Sequence, residues 1–232
     1  MRASFLASLP AVLLLWGTAA IAQQVESPSG STWRPLFDGK SLDGWEHVGP
    51  GRMVLEDGML RTEGGMGLLW YTKEKFGDCV IRVVYKTESR RANSGVFVRI
   101  AEPPKDPWYA VHHGFEIQIC DAEDEYHGTG AIYSLSRSRG RPVKPQGEWN
   151  TMEIILRGQQ ILIALNGAQV NDFDAEHSTV PERTKDYEPE RGPRPTTGYI
   201  GLQNHGDVGQ NSHVFFKEVS VRPLTPLDRS KR

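Results

Sequence analysis

The stretch His112-His113-Gly114-Phe115-Glu116-Ile117-Gln118-Ile119-Cys120-Asp121 decides the fold class of this chain. From Phe115 onward, apolar side chains alternate with Glu116, Gln118 and Cys120. A period of two residues predicts a β-strand that has one face in a core. Its other face carries a carboxyl group and an amide about 7 Å apart. That polar face is either a ligand surface or an ordinary solvated face, and the strand alone does not decide between them.

Short segments with strand-like composition recur along the rest of the chain. Turn dipeptides such as Asp57-Gly58 and Asn166-Gly167 separate several of them, and no segment shows the period of a helix of ordinary length. Many short strands with frequent turns predict an all-β, antiparallel sandwich or barrel. The predicted segments are 53–60 (a hairpin), 68–71, 79–86, 96–100, 115–121, 130–133, 149–157, 161–165, 169–173, 199–204 and 213–221.

The first 22 residues have the features of a signal peptide. Arg2 precedes an uncharged apolar run over residues 6–16, and Ala20-Ile21-Ala22 offers a cleavage site before Gln23. The run is too short to span a bilayer, and no later segment qualifies as a membrane span. We therefore expect a secreted or periplasmic protein. Residues 23–35 then form an N-terminal lead-in, 36–224 a single β domain and 225–232 a C-terminal tail.

Composition bears on the expected binding partners and on whether the chain contains a disulfide. The formal net charge is −2 and the sequence has no basic stripe, so nucleic acid is not an expected partner. Cys79 and Cys120 either form one disulfide or serve as two small core residues. The segment 174–197 is rich in Pro, Arg, Glu and Asp without periodicity, which predicts a functional or mobile loop. The oligomeric state stays open.

Two further predicted strands resemble Phe115–Asp121 in pairing an apolar face with a polar or aromatic one. In the segment 96–100, the alternation places Val96, Val98 and Ile100 on one face and Phe97 and Arg99 on the other. In the segment 199–205, the second face carries Tyr199, Gln203 and His205. If the three polar faces belong to one sheet, they line a groove whose amides, charges and rings suit a sugar. The alternative is that Arg99 and Glu116 simply pair across neighbouring strands.

Other chemistry-bearing groups are less specific. The acidic run 121–125 has oxygen ligands for Ca²⁺ or another divalent cation, with Asp121 as the candidate ligand at the strand end, but a solvated charge run is the simpler interpretation. No cofactor is required by the sequence. His112-His113 has no metal-ligand spacing and is expected to cap a strand.

An ordered set of motifs resembles the 3-keto-disaccharide hydrolase domain family, which was formerly a domain of unknown function. The opening motif is Leu-Phe-Asp-Gly-Lys-Ser-Leu-Asp-Gly-Trp at 36–45. The motifs that follow in order are Asn-Ser-Gly-Val-Phe-Val-Arg at 93–99, Gly-Phe-Glu-Ile-Gln-Ile at 114–119, Gly-Ala-Ile-Tyr at 130–133, Gly-Glu-Trp-Asn at 147–150, Asn-Gly at 166–167 and Gly-Leu-Gln-Asn-His-Gly at 201–206.

This resemblance implies a fold and a reaction. The implied fold is the concanavalin A-like lectin/glucanase jelly roll, two antiparallel sheets with the sugar on one face. The implied reaction begins at a sugar whose ketone at C3 acidifies the proton at C2. A base removes that proton, the group on C1 is eliminated, and water adds back at C1. For these steps the residues on the three polar strand faces and Tyr133 are the candidates: Glu116 or His205 as base or acid, and Arg99, Gln118, Gln203, Tyr133 and Phe97 as substrate contacts.

Two other functions remain open on the sequence. One is a carbohydrate-binding, lectin-like module without catalysis, because fold does not fix function. The other is a direct glycosidase that acts on unoxidised sugar.

Overall fold

The computed structural model describes residues 32–205 and 212–224. Within these ranges the chain forms thirteen strands and one short helix. The elements are β1 (Arg34–Phe37), β2 (Trp45–Val48), β3 (Arg52–Glu56), β4 (Met59–Glu63), β5 (Gly67–Tyr71), β6 (Cys79–Thr87), β7 (Ser94–Ile100), α1 (Pro107–His113), β8 (Phe115–Ile119), β9 (Asn150–Arg157), β10 (Gln160–Leu165), β11 (Ala168–Asp174), β12 (Tyr199–Asn204) and β13 (Val214–Pro223).

The strands form two antiparallel sheets. The larger sheet has the order β11-β10-β9-β6-β13-β4-β3, and its eighth strand, β1, pairs with β13 outside this order. The smaller sheet has five strands in the order β2-β5-β12-β7-β8. The prediction of an all-β, antiparallel sandwich is therefore confirmed.

The main core lies between the two sheets. Phe115, Ile117 and Ile119 on β8 point into it, as the alternation predicts, and they belong to one cluster with Ile81 on β6 and Ile154 on β9. The opposite face of the five-stranded sheet, here called its outer face, carries the remaining side chains of β8. The fold therefore commits Glu116 and Gln118 to that outer face.

Helix α1 is a difference from the sequence prediction. Asp106 caps its N-terminus by accepting from the Tyr109 backbone N–H at 3.1 Å, and Pro107 occupies the first turn. The helix packs Ala110 and Val111 onto the outer face of the small sheet. His112-His113 therefore ends a helix and does not cap a strand.

Three smaller predictions are also corrected, and two more concern residues that the structure does not describe. Residues 130–133 form no strand. Their backbone bonds to β8 without the regular ladder of a strand pair, and Ile132 makes only isolated bridges. Cys79 and Cys120 are both buried and unpaired, so the disulfide alternative is wrong. β1 begins at Arg34, inside the segment that we predict as the lead-in. The predicted signal peptide and the 225–232 tail lie outside the described residues.

No helix in the described part of the chain is long and apolar enough to cross a membrane.

Candidate active site

A cleft of about 610 Å³ opens on the outer face of the five-stranded sheet. Its floor is formed by side chains of β8 and β12, and its walls come from α1, from the segment between β8 and β9, and from the long segment between β11 and β12. The lining residues are Met66, Asn93, Trp108, Val111, Glu116, Gln118, Glu123, His127, Tyr133, Thr184, Lys185, Tyr187, Glu188, Gln203 and His205.

The position of Glu116 depends on the residue beside it on β7. Glu116 lies opposite Phe97 in the β7–β8 register, but its side chain leans over Gly95. A Cβ atom at position 95 would lie 2.7 Å from Glu116 Cγ and closer still to its Oε1. Glycine at 95 therefore provides the space in which the carboxyl group reaches across the sheet towards Gln203 on β12.

The carboxyl group of Glu116 is buried without a charge partner. Its side chain is 6% exposed, and its Oε1 has no hydrogen-bond partner among the described residues. Burial raises the pKa of Glu116 to about 8, and an interaction with the Gln203 side chain opposes that rise only in part. A carboxyl group with a pKa near neutrality is suited to general acid or base chemistry.

Glu188 in the cleft wall has the opposite electrostatic environment. Although burial favours its neutral form, hydrogen bonds from Thr184 and Arg191 hold the pKa of Glu188 below its usual range. Its Oε1 accepts from Thr184 Oγ1 at 2.8 Å, and its Oε2 lies 2.9 Å from Arg191 Nη2. Glu188 is therefore an ionised structural group, whereas Glu116 is free to exchange a proton.

Two amides accompany Glu116 on the floor. Gln118 Nε2 donates to Asn93 Oδ1 at 3.2 Å, which orients the amide and leaves Gln118 Oε1 without a partner in the described structure. Gln203 Oε1 is likewise buried and without a partner there. Buried acceptors of this kind are expected to be satisfied by a ligand or water, and sugar hydroxyls are suitable donors.

Tyr133 brings a phenol to the same floor. Its backbone N–H donates to the Glu116 carbonyl at 2.9 Å, which ties the irregular 121–138 segment to β8. Burial, with the nearby carboxyl group of Glu116, raises the pKa of Tyr133, so the phenol stays neutral and can donate a hydrogen bond.

Two arginines hold the long segment between β11 and β12 in place, and one of them, Arg194, bonds the helix. Arg194 is buried against the Phe115 ring and donates to four backbone carbonyls, those of Gly114, His112, Glu190 and Gly192, at 2.7–3.1 Å. Arg191 pairs with Glu188, as described above. The predicted loop at 174–197 is thus an ordered wall of the cleft.

His205 lies at the cleft rim and is exposed. Partial shielding from water within the cleft lowers the pKa of His205. It is followed by residues 206–211, which lie outside the described residues.

Arg99 and Phe97 do not reach the cleft. Tyr199 on β12 pairs with Ile100 on β7, and Gly201 pairs with Phe97. Between these two pairs β12 advances by two residues and β7 by three, so β7 carries a bulge. Arg99 sits in that bulge at a positive φ of 58°, fully buried, with Nη1 3.4 Å from the Pro195 carbonyl. The bulge also moves Ile100 to the outer face, which corrects the prediction that it shares the face of Val96 and Val98.

Phe97 points to the outer face as the alternation predicts, but α1 covers it. It packs with Ala110 and Val111 and is fully buried. Its role is therefore to support the helix that forms one wall of the cleft.

Asp121 lies beside a second cavity, about 490 Å³ in volume, whose lining includes Arg90, Arg141 and Lys144. Its Oδ1 accepts from Thr129 Oγ1 at 2.6 Å. Among the described residues no group of three or more His, Cys, Asp or Glu side chains is arranged to hold a metal ion. The three basic side chains disfavour a cation there, and the Ca²⁺ site stays a prediction.

The model of the 3-keto-alpha-glucoside-1,2-lyase-like domain family matches residues 32–222. The chain belongs to this family. That match covers every strand that contributes to the cleft, and the resemblance inferred from the sequence motifs is confirmed.

Relatives of this family member support the same classification. A 3-keto-disaccharide hydrolase of Bacteroides thetaiotaomicron is 22% identical over 230 residues, covering 82% of this chain and 77% of that protein. The structure of a candidate glycosyl hydrolase from Parabacteroides distasonis superposes with a TM-score of 0.65 at 29% identity, covering 83% of this chain and all of the other. A Bacillus subtilis protein of unknown function with a galectin-like fold has a TM-score of 0.59 at 13% identity, covering 82% and 94% of the two chains. The galectin-like neighbour supports the jelly-roll fold alone.

The cleft of this family member also contains residues that the sequence alone does not single out. Trp108 comes from α1 and Tyr187 from the segment between β11 and β12, and His127 and Lys185 add basic groups. Trp108 follows Asp106-Pro107, and an aspartate followed by a proline is a sequence pattern that predicts the start of a helix. Tyr187 and Lys185 come from the aperiodic segment, where no pattern indicates which side chains face a ligand.

Proposed function

We propose that this protein is a secreted carbohydrate-active hydrolase that cleaves the glycosidic bond of 3-keto-glycosides by elimination and hydration. Family membership and the named activity of the Bacteroides thetaiotaomicron relative support a hydrolase of glycosides. The observation that carries the proposal is Glu116: a buried carboxyl group with a pKa of about 8, unpartnered at Oε1, on the floor of a sugar-sized cleft.

The proposed reaction needs one base, and Glu116 is that base. Its carboxylate takes the C2 proton of the keto-sugar, and the electron pair of the C2–H bond forms an enolate with the C3 oxygen. The enolate collapses, restores the C3 ketone, forms the C1–C2 double bond and breaks the C1–O bond. Water then adds to C1, and C2 recovers a proton from Glu116. Tyr133 is suited to donate a hydrogen bond to an enolate oxygen, and Gln118 and Gln203 to accept from sugar hydroxyls.

The arrangement of carboxyl groups favours this route over direct glycosidic hydrolysis. A direct glycosidase uses two carboxyl groups that flank the bond. Of the three described carboxyl groups that line the cleft, Glu188 is engaged by Arg191 and Thr184, and Glu123 is exposed on the wall. Glu116 is the buried one with a raised pKa, which suits a single base.

The test compares a 3-keto-glucoside with its unoxidised parent glucoside in D₂O. We expect cleavage of the keto-sugar alone, with deuterium at C2 of the product. Glu116→Gln should lower the rate about 10²–10⁴-fold, because the amide cannot take the proton. Cleavage with the C2 hydrogen fully retained would rule out the elimination route, and equal activity on the parent sugar would rule out the substrate class.

Glu46→Gln is the matched control. Glu46 is an exposed carboxylate on β2 of the same sheet, outside the cleft, so its rate should stay at the wild-type level. A lectin-like module gives a third outcome, in which the protein binds the sugar, cleaves neither compound and keeps its affinity after Glu116→Gln.

Export is part of the proposal and rests on the N-terminal residues discussed above. Protein recovered from its native host should begin at or near Gln23, as measured by intact mass. Retention of Met1 would contradict export by a cleaved signal peptide.

A further inference from the structure

The second cavity, of about 490 Å³, lies at the end of β8 and borders the cleft. It forms where the turn after β8 meets the connection between β6 and β7 and residues 141–146 of the segment between β8 and β9. Glu123 lines both the second cavity and the cleft, so the two adjoin. A substrate that occupies the cleft and extends past Glu123 therefore enters the second cavity.

Three cationic side chains, those of Arg90, Arg141 and Lys144, line the second cavity. Arg90 Nη2 donates to the Asp121 carbonyl at 3.0 Å, and Arg141 Nη1 donates to the Glu123 carbonyl. Lys144 Nζ donates to a carbonyl of its own segment at 2.9 Å. These acceptors are neutral, and within residues 32–205 and 212–224 none of the three cations forms an ion pair. A guanidinium or ammonium group has several N–H donors, so one carbonyl leaves the others free.

Two carboxylates, those of Asp121 and Glu123, line the same cavity. Asp121 is buried, and its Oδ1 accepts from Thr129 Oγ1 at 2.6 Å. Glu123 is exposed at the border with the cleft. The cations outnumber these carboxylates in a chain whose formal net charge is −2, so the excess of positive charge is local. A cavity lined mainly by one sign of charge attracts ligands of the opposite sign.

Arg141 is held in place before any ligand binds. Gly128 leaves the space that its guanidinium occupies, because a Cβ atom at position 128 would collide with Nη1. The side chain is half-buried, and its bond to the Glu123 carbonyl orients the planar group. A guanidinium suits the oxygens of a carboxylate, sulfate or phosphate, and ordering it in advance lowers the entropic cost of binding. The second cavity therefore has the chemistry of an oxyanion site.

The position along β8 indicates which part of a substrate carries the anion. Asp121 follows Glu116 by five residues, which corresponds to about 16 Å along an extended strand. This separation is longer than one sugar ring. An anion in the second cavity therefore belongs to a sugar beyond the one whose C2 proton Glu116 takes.

We propose that the second cavity binds an acidic substituent, a carboxylate or a sulfate, on the leaving-group sugar of the substrate. This assignment rests on the proposed function and names its preferred substrates as 3-keto-glycosides of acidic sugars. Arg141 is the main contact, Lys144 and Arg90 add positive charge, and Glu123 opposes binding as a like charge at the entrance. The substituent is bound and undergoes no reaction.

The first test measures binding without turnover. Calorimetry compares three unoxidised disaccharides whose leaving-group sugar is glucose, glucuronic acid or glucose 6-sulfate. We expect at least one acidic disaccharide to bind about tenfold more tightly than the neutral one at low salt. Raising the ionic strength to about 0.15 M should reduce this advantage, because salt screens exposed charges. Equal Kd values for all three would overturn the proposal.

Inorganic sulfate separates a substrate-borne anion from a free ion. Sulfate should compete with the acidic disaccharide and leave binding of the neutral one unchanged. Binding of inorganic sulfate without any advantage for the acidic disaccharides would show a site for a free ion and would overturn the proposal.

Substitutions in the second cavity test the individual charges. Arg141→Gln should raise the Kd of the acidic disaccharide about tenfold, and Lys144→Gln, at an exposed position, about two- to fivefold. Glu123→Gln should lower it about two- to fivefold, since a like charge is removed. Arg139→Gln is the matched control, because Arg139 is an exposed arginine of the same segment outside both cavities. Equal losses on the acidic and neutral disaccharides would indicate damage to the fold and overturn the assignment.

Turnover separates failure of this site from failure of the proposed function. Arg141→Gln should raise KM for an acidic 3-keto-disaccharide and leave KM unchanged for a methyl 3-keto-glucoside, which has no second sugar. Cleavage of acidic and neutral 3-keto-disaccharides with the same KM would overturn the acidic-sugar site alone. Tighter binding of acidic disaccharides without cleavage of any 3-keto-glycoside would support the site and overturn the proposed function.

Discussion

At the scale of single residues, Glu116 sits where an ionised carboxyl group is disfavoured. The folded state raises its pKa from 4.5 to about 8 because burial removes water from the carboxylate and no cation replaces it. The folded protein therefore holds a proton that the unfolded chain releases between these pH values. A buried carboxyl group of this kind weakens the fold at the pH where it is ionised.

The first prediction concerns the pH dependence of this effect. As pH rises from about 4.5 to about 8, the unfolded state binds fewer protons than the folded state, so the free energy of unfolding of the wild type falls. Glu116→Gln has no such proton. Its stability advantage should be near zero below pH 4.5 and grow to at most about 5 kcal/mol above pH 8, at about 1.4 kcal/mol per pKa unit.

Urea denaturation of both proteins at a series of pH values measures this difference. Glu46→Gln serves again as the control and should follow the wild type. A difference between Glu116→Gln and wild type that does not change with pH would show that Glu116 titrates normally.

Alternation alone was enough to predict which side chains of β8 and β12 share the outer face, because strands with regular pleating obey the period of two. The alternation failed at Arg99, because the bulge adds one residue to β7 and the side chains after it point to the opposite face. The raised pKa of Glu116 was not predictable either, because it comes from burial of the carboxyl group, and that burial depends on segments distant in the sequence.

At the scale of elements, the cleft walls depend on contacts between distant segments. Helix α1 has only seven residues, too few to show a helical period, although Asp106-Pro107 marks its start. The segment between β11 and β12 has no internal pattern, and its order comes from arginines that bond backbone carbonyls of α1 and of the segment itself. A sequence shows the absence of periodicity there, but not the carbonyls that Arg194 reaches.

The second prediction concerns Arg194. Burial lowers its pKa to about 10, so the guanidinium is charged at neutral pH and its planar fork can serve several carbonyls at once. Arg194→Lys keeps a charge but loses most of these donors, which leaves buried carbonyls unsatisfied at about 1–3 kcal/mol each. We expect faster amide hydrogen exchange in residues 174–198 and a higher KM.

Arg157→Lys on the other sheet is the control, because Arg157 is exposed at the end of β9. Uniformly faster exchange over both sheets would indicate global destabilisation. Unchanged exchange in 174–198 would mean that Arg194 does not hold the wall.

At the scale of the whole molecule, exposed aromatic surface is concentrated on the cleft. Among the described residues, the large hydrophobic side chains that are exposed are Trp108, at 44%, and Tyr187, at 52%, and both line the cleft. Trp108 comes from α1 and Tyr187 from the long segment, so two elements distant in sequence each contribute a ring. Exposed rings at a polar cleft are typical of ligand contact.

The last prediction assigns these rings to the leaving group. The floor residues around Glu116 suit the keto-sugar ring, and the aromatic side chains on the walls suit the apolar face of a second sugar. Stacking of this kind is made equally in the bound substrate and in the transition state, so its loss raises KM and leaves kcat unchanged. Trp108→Ala and Tyr187→Ala should each raise KM for a 3-keto-disaccharide about two- to tenfold, corresponding to about 0.5–1.5 kcal/mol per ring contact. KM for the methyl 3-keto-glucoside should stay at the wild-type value, because its leaving group is too small to reach the rings.

Trp149→Ala removes a half-buried ring outside the cleft and controls for general damage to the fold. An equal rise in KM on both substrates would place the rings on the keto-sugar itself, and unchanged KM on both would remove them from the substrate site.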